Sequence, residues 1–288
     1  MASSADRSTT ETAAETGTLL GEFPYVRLGD EPENLVILPG ITLDNEPPNR
    51  LAAWTYRLGF GRFAKDHTVY VVNRRPSMPQ GYTTQDMAHD YARVVESELG
   101  PSHVMGFSTG GAIAQYVAID HSEAVRSLTL IVSASRLSEE GRETCERWRA
   151  LTREGSWQEL RADMASVNVT SKTNKRLARA FMAVFGRFVL RVPSDPSDFL
   201  TTLEADLDHD TTDRLPEISA LTLIIGGSDD PFFLEALLSE TAGKIPGAEL
   251  RVYEGVGHGV PKERKHRYED DAPAFLSKRR ISDDVPSC

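Results

Sequence analysis

The sequence predicts an α/β fold: a doubly wound, mostly parallel sheet with an inserted helical segment. Three observations lead there. Short runs of consecutive apolar residues alternate with amphipathic stretches, the pattern of strands buried on both faces and joined by helices. That rhythm stops near residue 134 and resumes near residue 220, with only helical patches between. A serine stands between two glycines, Gly106-Phe107-Ser108-Thr109-Gly110, where an apolar run turns into a helix-like segment.

Phe23 to Leu28 and Leu35 to Leu38 read as the first strands, parted by the polar turn Gly29-Asp30-Glu31-Pro32. The second ends in Pro39-Gly40. A helix is expected over Asn49 to Leu58, then a buried strand at Thr68 to Val72. After a loop rich in Pro and Gly, Thr83 or Thr84 caps a helix running to about Leu99, with Met87, Tyr91, Val94, Val95 and Leu99 on one stripe. Strand His103 to Phe107, a helix to about Asp120 and strand Val125 to Val132 complete the first half. Helical patches follow at Glu139 to Arg153, Ser156 to Ser166, Asn174 to Arg191 and Ser197 to Leu207. In the third, Leu177, Phe181, Val184, Phe185 and Phe188 share one face, which implies packing between helices or a roof over a substrate pocket. Strand Leu221 to Ile225, helix Phe232 to Ala242, strand Glu249 to Tyr253 and helix Lys262 to Lys278 restore the alternation. The expected organisation is a disordered leader over 1–18, a core of 19–133 and 220–279, a helical insertion over 134–219, and a polar tail over 280–288.

A formal net charge of −11 disfavours nucleic acid, whose phosphates require a surplus of clustered cations. No apolar run approaches the ~18 residues of a membrane span, so no membrane partner is expected. The first residues lack a basic start and an apolar stretch, which argues against a secretory signal. Cys145 and Cys288 are the only cysteines, too few for a disulfide framework. A cytoplasmic setting is the expectation. Strand-helix turns carry no dinucleotide or phosphate fingerprint, and Asp208-His209-Asp210 reads as a polar connector, so neither cofactor nor metal is expected. His67, His103 and His121, beside element ends, read as surface or capping groups. Of Arg74 and Arg75, one turned to the pocket would bind an acidic substrate, but a structural ion pair is the simpler reading. Trp54, Trp148 and Trp157 read as packing residues.

A serine hydroxyl is a poor nucleophile at neutral pH and needs a base that is itself oriented by a third group. Two later segments offer those groups. Gly227-Ser228-Asp229-Asp230-Pro231 follows the strand Leu221 to Ile225, and Gly255-Val256-Gly257-His258-Gly259 follows the strand Glu249 to Tyr253. Strand C-termini of a parallel sheet line one edge, where ligands bind. Serine, carboxylate and imidazole therefore converge at that edge. The turn at Ser108 has the form of a nucleophile elbow, which leaves the Thr109 amide at a helix N-terminus able to receive an oxyanion.

With this motif and this chain order, the sequence resembles the α/β-hydrolase superfamily in its capped, lactonase- and esterase-like branch, over about residues 20 to 278. The resemblance implies an eight-stranded-type sheet with the insertion as a cap. It implies Ser108 as nucleophile, His258 as general base and then acid, and Asp230 as the orienting acid, since the family's acid stands third after a glycine, here Gly227. Asp229 is then a loop carboxylate. It also implies an oxyanion hole of the Thr109 amide and a second from the early loop, where Pro39-Gly40-Ile41-Thr42 points to Ile41. Pro39 stands where the family commonly has histidine. The implied activity is hydrolysis of a small-molecule carboxylic ester or lactone through an acyl-enzyme, without cofactor. Carbon–carbon bond hydrolysis, cofactor-free perhydrolysis and non-catalytic ligand binding share the scaffold and stay open.

Overall fold

Eight strands build one sheet in the computed structural model, which describes residues 14–189, 192–193 and 195–283. They are β1 (Glu15–Leu19), β2 (Phe23–Leu28), β3 (Asn34–Leu38), β4 (Thr68–Val72), β5 (Ser102–Phe107), β6 (Val125–Ile131), β7 (Leu221–Gly227) and β8 (Glu249–Tyr253). Their order across the sheet is β1-β2-β4-β3-β5-β6-β7-β8. β1 and β2, and β2 and β4, pair antiparallel, and the remaining neighbours pair parallel. Alternate residues of the parallel strands feed two cores, one on each face. Val36, Val104, Leu128 and Ile224 point to one. Leu35, Ile37, Val69, Met105, Leu223 and Ile225 point to the other. Burial on both sides explains why these strands are written as unbroken apolar runs.

Between the strands lie α1 (Arg50–Phe60), α2 (Thr84–Val94) and α3 (Thr109–Asp120). α2 is started by a reciprocal cap: the Asp86 amide donates to Thr83 Oγ1, and the Thr83 amide donates to the Asp86 carboxylate. It continues through a π-helical turn to Leu99. Four helices separate β6 from β7: α4 (Glu139–Arg153), α5 (Trp157–Val167), α6 (Lys172–Val189) and α7 (Ser197–Asp208). α8 (Glu235–Lys244), α9 (Val260–Glu263) and α10 (Lys265–Asp283) complete the chain.

Several expectations are corrected. Residues 15–18, read as leader, belong to the edge strand β1, whose pairing with β2 supplies the order that its polar composition hides; residues 1–13 lie outside the described residues. The helix expected from Phe232 begins at Glu235, because the Phe232 and Phe233 amides are held by the Asp230 carboxylate instead of by a helix. α10 runs on to Asp283, into the segment read as tail. His67 and His103 are buried at the N-terminal ends of β4 and β5, not surface groups. Trp54 is exposed.

Candidate active site

β5 ends by delivering Ser108 in a strained conformation, φ 51° and ψ −120°, before α3 begins at Thr109. Positive φ is rare for a residue with a side chain, and such strain collects at functional sites. The flanking glycines are what make the turn possible. A Cβ on Gly106 would lie 2.3 Å from the Gly110 carbonyl oxygen, and one on Gly110 would lie 2.1 Å from that of Leu38. Val132, just after β6, is also at positive φ (45°) and lines the same site.

The imidazole of His258 meets both expected partners. Its Nε2 is 3.1 Å from Ser108 Oγ and its Nδ1 is 2.9 Å from Asp230 Oδ2. Asp230 is fully buried, and its other oxygen accepts the amides of Phe232 (2.9 Å) and Phe233 (3.3 Å). A carboxylate can only accept, so Nδ1 carries the proton and Nε2 is left to accept from the serine hydroxyl. Asp229 accepts instead from Ser228 Oγ at 2.9 Å. The histidine loop is pinned from above. The Gly257 amide donates to Thr170 Oγ1 at 2.6 Å, and the Thr170 hydroxyl donates to Glu263.

The loop after β3 crosses directly over the elbow, since a Cβ on Gly40 would stand 3.5 Å from Ser108 Cβ. Ile41 and Thr109 both border the cavity beside Ser108. As the first residue of α3, Thr109 has an amide with no partner inside the helix.

Two polar side chains that the sequence did not single out for these roles hold this region. Arg74, 1% exposed, donates to the carbonyls of Pro39 and Gly40, each at 3.2 Å, and to Thr42 Oγ1 at 2.9 Å. It clamps the loop carrying Ile41, lies outside the lining of the cavity beside Ser108 and has no ion-pair partner among the described residues; Arg75 has one, Glu22 at 3.3 Å. Asp206 of α7 is buried and accepts from Thr109 Oγ1 at 2.5 Å. Burial raises its pKa to about 7, opposed by the Thr109 bond and the Arg74 and His258 charges. A charged residue straight after an apolar strand was the available signal for Arg74. Asp206 sits in an acidic helix segment and carried none.

A cavity of about 790 Å³ opens above Ser108, bounded by the sheet rim, α1, α4, α5 and α7. Its walls are mainly apolar and include Tyr56, Phe60, Trp148, Met164, Phe232 and Phe233, with Lys262 and Lys265 among the lining. Cys145 also faces it, but burial pushes its thiol far above the usual range, so it stays protonated and does not compete as a nucleophile.

Asp208, His209 and Asp210 do not gather as ligands; His209 is buried and its Nδ1 meets Thr84 Oγ1 at 3.1 Å. Among the described residues, Glu33, His67 and His103 do bring possible ligand atoms within 4.8 Å, at the sheet end opposite Ser108. Arg126 already donates to Glu33 at 3.3 Å, and Ser127 Oγ lies 2.7 Å from His103 Nδ1. That cluster reads as a buried polar network.

The sequence profile of the Alpha/beta hydrolase family matches residues 35–270. The chain belongs to that family. This α/β hydrolase is 28% identical over 197 residues to a 2-hydroxy-6-oxononadienedioate/2-hydroxy-6-oxononatrienedioate hydrolase of a Pseudomonas species, covering 65% of this chain and 68% of that protein. It is 25% identical over 205 residues to a putative carbamate hydrolase of Caulobacter vibrioides, covering 69% of this chain and 74% of the relative. Among solved structures, the enol-lactonase of Burkholderia xenovorans superposes with a TM-score of 0.73 at 17% identity, covering 91% of this chain and all of that one (100%). At that identity the superposition speaks for the fold of the hydrolase.

Proposed function

We propose that the protein is a serine hydrolase that cleaves a small-molecule carboxylic ester or lactone through an acyl-enzyme, with α4 to α7 as its cap. The hydrogen-bonded chain Ser108–His258–Asp230 beneath an apolar cavity carries this reading. His258 Nε2 takes the Ser108 proton as Oγ attacks the carbonyl carbon. The amides of Ile41 and Thr109 receive the negative charge that develops on the carbonyl oxygen, each worth roughly 3 kcal/mol of barrier. The protonated imidazole, stabilised by Asp230, gives its proton to the leaving oxygen. Water then enters, His258 takes its proton as the water oxygen attacks the acyl carbon, and the imidazolium returns that proton to Ser108 Oγ as the acyl–Oγ bond breaks. An apolar wall suits a carbonyl compound with a hydrocarbon body, since about 25 cal/mol is gained per Å² of apolar surface buried.

The test is hydrolysis of a p-nitrophenyl ester, with labelling by a fluorophosphonate, for wild type and Ser108→Ala. Loss of both in the variant supports the assignment, and equal rates would end it. Tight ligand binding without turnover or labelling would support a binding protein on this scaffold. Because one relative is named for hydrolysing an unsaturated oxo-dioate, vinylogous diketones belong beside esters and lactones in the substrate panel. Activity on the diketones alone would move the substrate class away from esters.

A further inference from the structure

The stripe on α6 faces neither another helix nor the cavity. Leu177, Phe181, Val184 and Phe185 recur at i, i+4, i+7 and i+8 and are 63%, 52%, 64% and 49% exposed. The protein-facing side of α6 is instead Met182 and Gly186, where a Cβ on Gly186 would stand 3.4 Å from Arg161 Nε of α5. Both the interhelical and the roof reading of that stripe are thus overturned for these four residues, and Phe188 has no described side chain. A row of large apolar groups turned to solvent marks an interaction surface.

Its charge is equally out of keeping with the molecule. Lys172 to Val189 contains five basic residues (Lys172, Lys175, Arg176, Arg179 and Arg187) and no Asp or Glu, within a chain of net charge −11. Arg179 is paired with Asp163 at 2.7 Å, while Lys172 and Arg176 are exposed. On the facing helix α5, Asp163 is taken up by Arg179, Arg147 and Trp148, and Glu159 shares a groove with Arg179, Ala180 and Ala183. α6 also starts close to the cavity: Val167 and Asn168, a few residues before it, line the cavity wall. On the same cavity lies Leu58 of α1, a helix that likewise contains no acidic residue and exposes Leu51, Trp54 and Leu58. Lys262 and Lys265 are exposed there as well.

We propose that α6, together with the exposed side of α1, docks on an anionic lipid bilayer and sets the cavity to receive an acyl-bearing amphiphile from it. The substrate clause rests on the serine-hydrolase reading; the docking clause does not. A helix with an apolar face and basic flanks binds in the plane of a membrane interface by burying the one and pairing the other with anionic headgroups. No helix among the described residues is long and apolar enough to cross a membrane, so the contact is peripheral. Charge selects the occupant. A second copy would bring an equally basic α6 to a self-complementary contact, and like charges would meet.

The experiment is cosedimentation of the full-length Ser108→Ala protein with vesicles of phosphatidylcholine alone, or of phosphatidylcholine and phosphatidylglycerol in equal parts. Using this variant keeps turnover out of the readout. Binding is expected to the anionic vesicles and to weaken with salt. A basic residue near such a surface contributes about 5-fold in partition, so Arg176→Glu should lower it about 25-fold. Phe181→Ser with Phe185→Ser should lower it at least about 10-fold, since apolar area drives insertion. In the wild-type background these exposed substitutions should leave hydrolysis of a water-soluble ester and the melting temperature unchanged. No binding to anionic vesicles, or equal partition of the variants, would overturn the proposal. So would a dimer in sedimentation velocity that dissociates on Phe181→Ser with Phe185→Ser, since the stripe would then serve self-association. Failure of the wild-type protein to be labelled by a fluorophosphonate would strike the hydrolase reading alone.

Discussion

Arg74 is the side chain through which the proposed oxyanion loop can be loosened without touching the Ser108–His258–Asp230 chain. Its guanidinium makes three hydrogen bonds, to the Pro39 and Gly40 carbonyls at 3.2 Å and to Thr42 Oγ1 at 2.9 Å, all neutral oxygens. Methionine matches its stem but leaves those oxygens without the guanidinium donor, the Pro39 carbonyl in a buried setting and the other two in a half-buried one. At about 1 kcal/mol for each, the lower end for a lost partner, Arg74→Met should destabilise the fold by about 3 kcal/mol. For a chain of this size that is a fall of roughly 6–10 °C in melting temperature. The chemical consequence is separate. If the loop relaxes, the Ile41 amide leaves the position where charge develops, and removing one such donor costs about 100-fold in kcat. KM should move less, because the cavity walls are untouched. Arg74→Lys keeps the charge but not the fork, so one acceptor at a time is served and about a 10-fold loss is expected. Steady-state kinetics on a p-nitrophenyl ester, with thermal unfolding of the same samples, reads both effects. A lowered melting temperature with kcat within about twofold of wild type would refute the positioning role and leave Arg74 a packing residue.

Asp230→Asn should lower kcat about 10⁴-fold with the fold intact, since the amide can no longer hold the Nδ1–H tautomer; a rate near wild type would remove Asp230 from the mechanism. Asp206 titrates at about 7 when folded because of burial, far above its unfolded value. Between those two values the folded state holds a proton that the unfolded state has lost, so this group makes stability fall as pH rises, by at most about 1.4 kcal/mol per pH unit. Asp206→Asn should therefore gain in melting temperature over wild type progressively from pH 4 to 7, with no further gain above; a constant difference across that range would contradict the buried acid. His209, lowered to about 4 by burial, acts in the opposite sense: the folded state binds fewer protons below its ordinary value, so stability falls on acidification. Its substitution by Gln should flatten the acid limb alone. Gly110→Ala places a Cβ 2.1 Å from the Leu38 carbonyl oxygen, a backbone clash that relaxation of a side chain cannot relieve, and should cost at least about 3 kcal/mol in chemical denaturation.

The central strands were legible because burial on both faces removes every competing reading: Leu35 to Leu38 and Leu221 to Ile225 are too short for helices and too apolar for loops. β1 was not. Glu15-Thr16-Gly17-Thr18-Leu19 is mostly exposed, and its strand character comes from β2, whose Phe23 to Leu28 supply the hydrogen-bonding edge. The start of α8 failed for a related reason. Phe232 suits a helix by composition, but the Asp230 carboxylate captures the amides of Phe232 and Phe233 first, and a side chain competing for backbone donors leaves no trace in hydrophobic periodicity.

The candidate site divides along the same line. Ser108, Asp230 and His258 each lie in the turn or loop that follows a strand, with glycines that mark close backbone approach, so local pattern and sheet topology together place them at one rim. Arg74 and Asp206 join that rim only through space, one from beneath the loop after β3 and one from α7, 97 positions after the Thr109 hydroxyl from which it accepts. Periodicity on α6 identified an apolar face correctly and said nothing of what that face meets. Leu177, Phe181, Val184 and Phe185 have the spacing of a packed helix, and their exposure follows from the position of α5, which takes the Met182 and Gly186 side instead. A helical moment measures how sharply a face is sorted, whereas the partner of that face is decided by the neighbouring elements. The charge of the same helix is a separate signal: Lys172 to Val189 carries five cations and no acid in a chain of net charge −11, a bias that hydrophobic periodicity does not report.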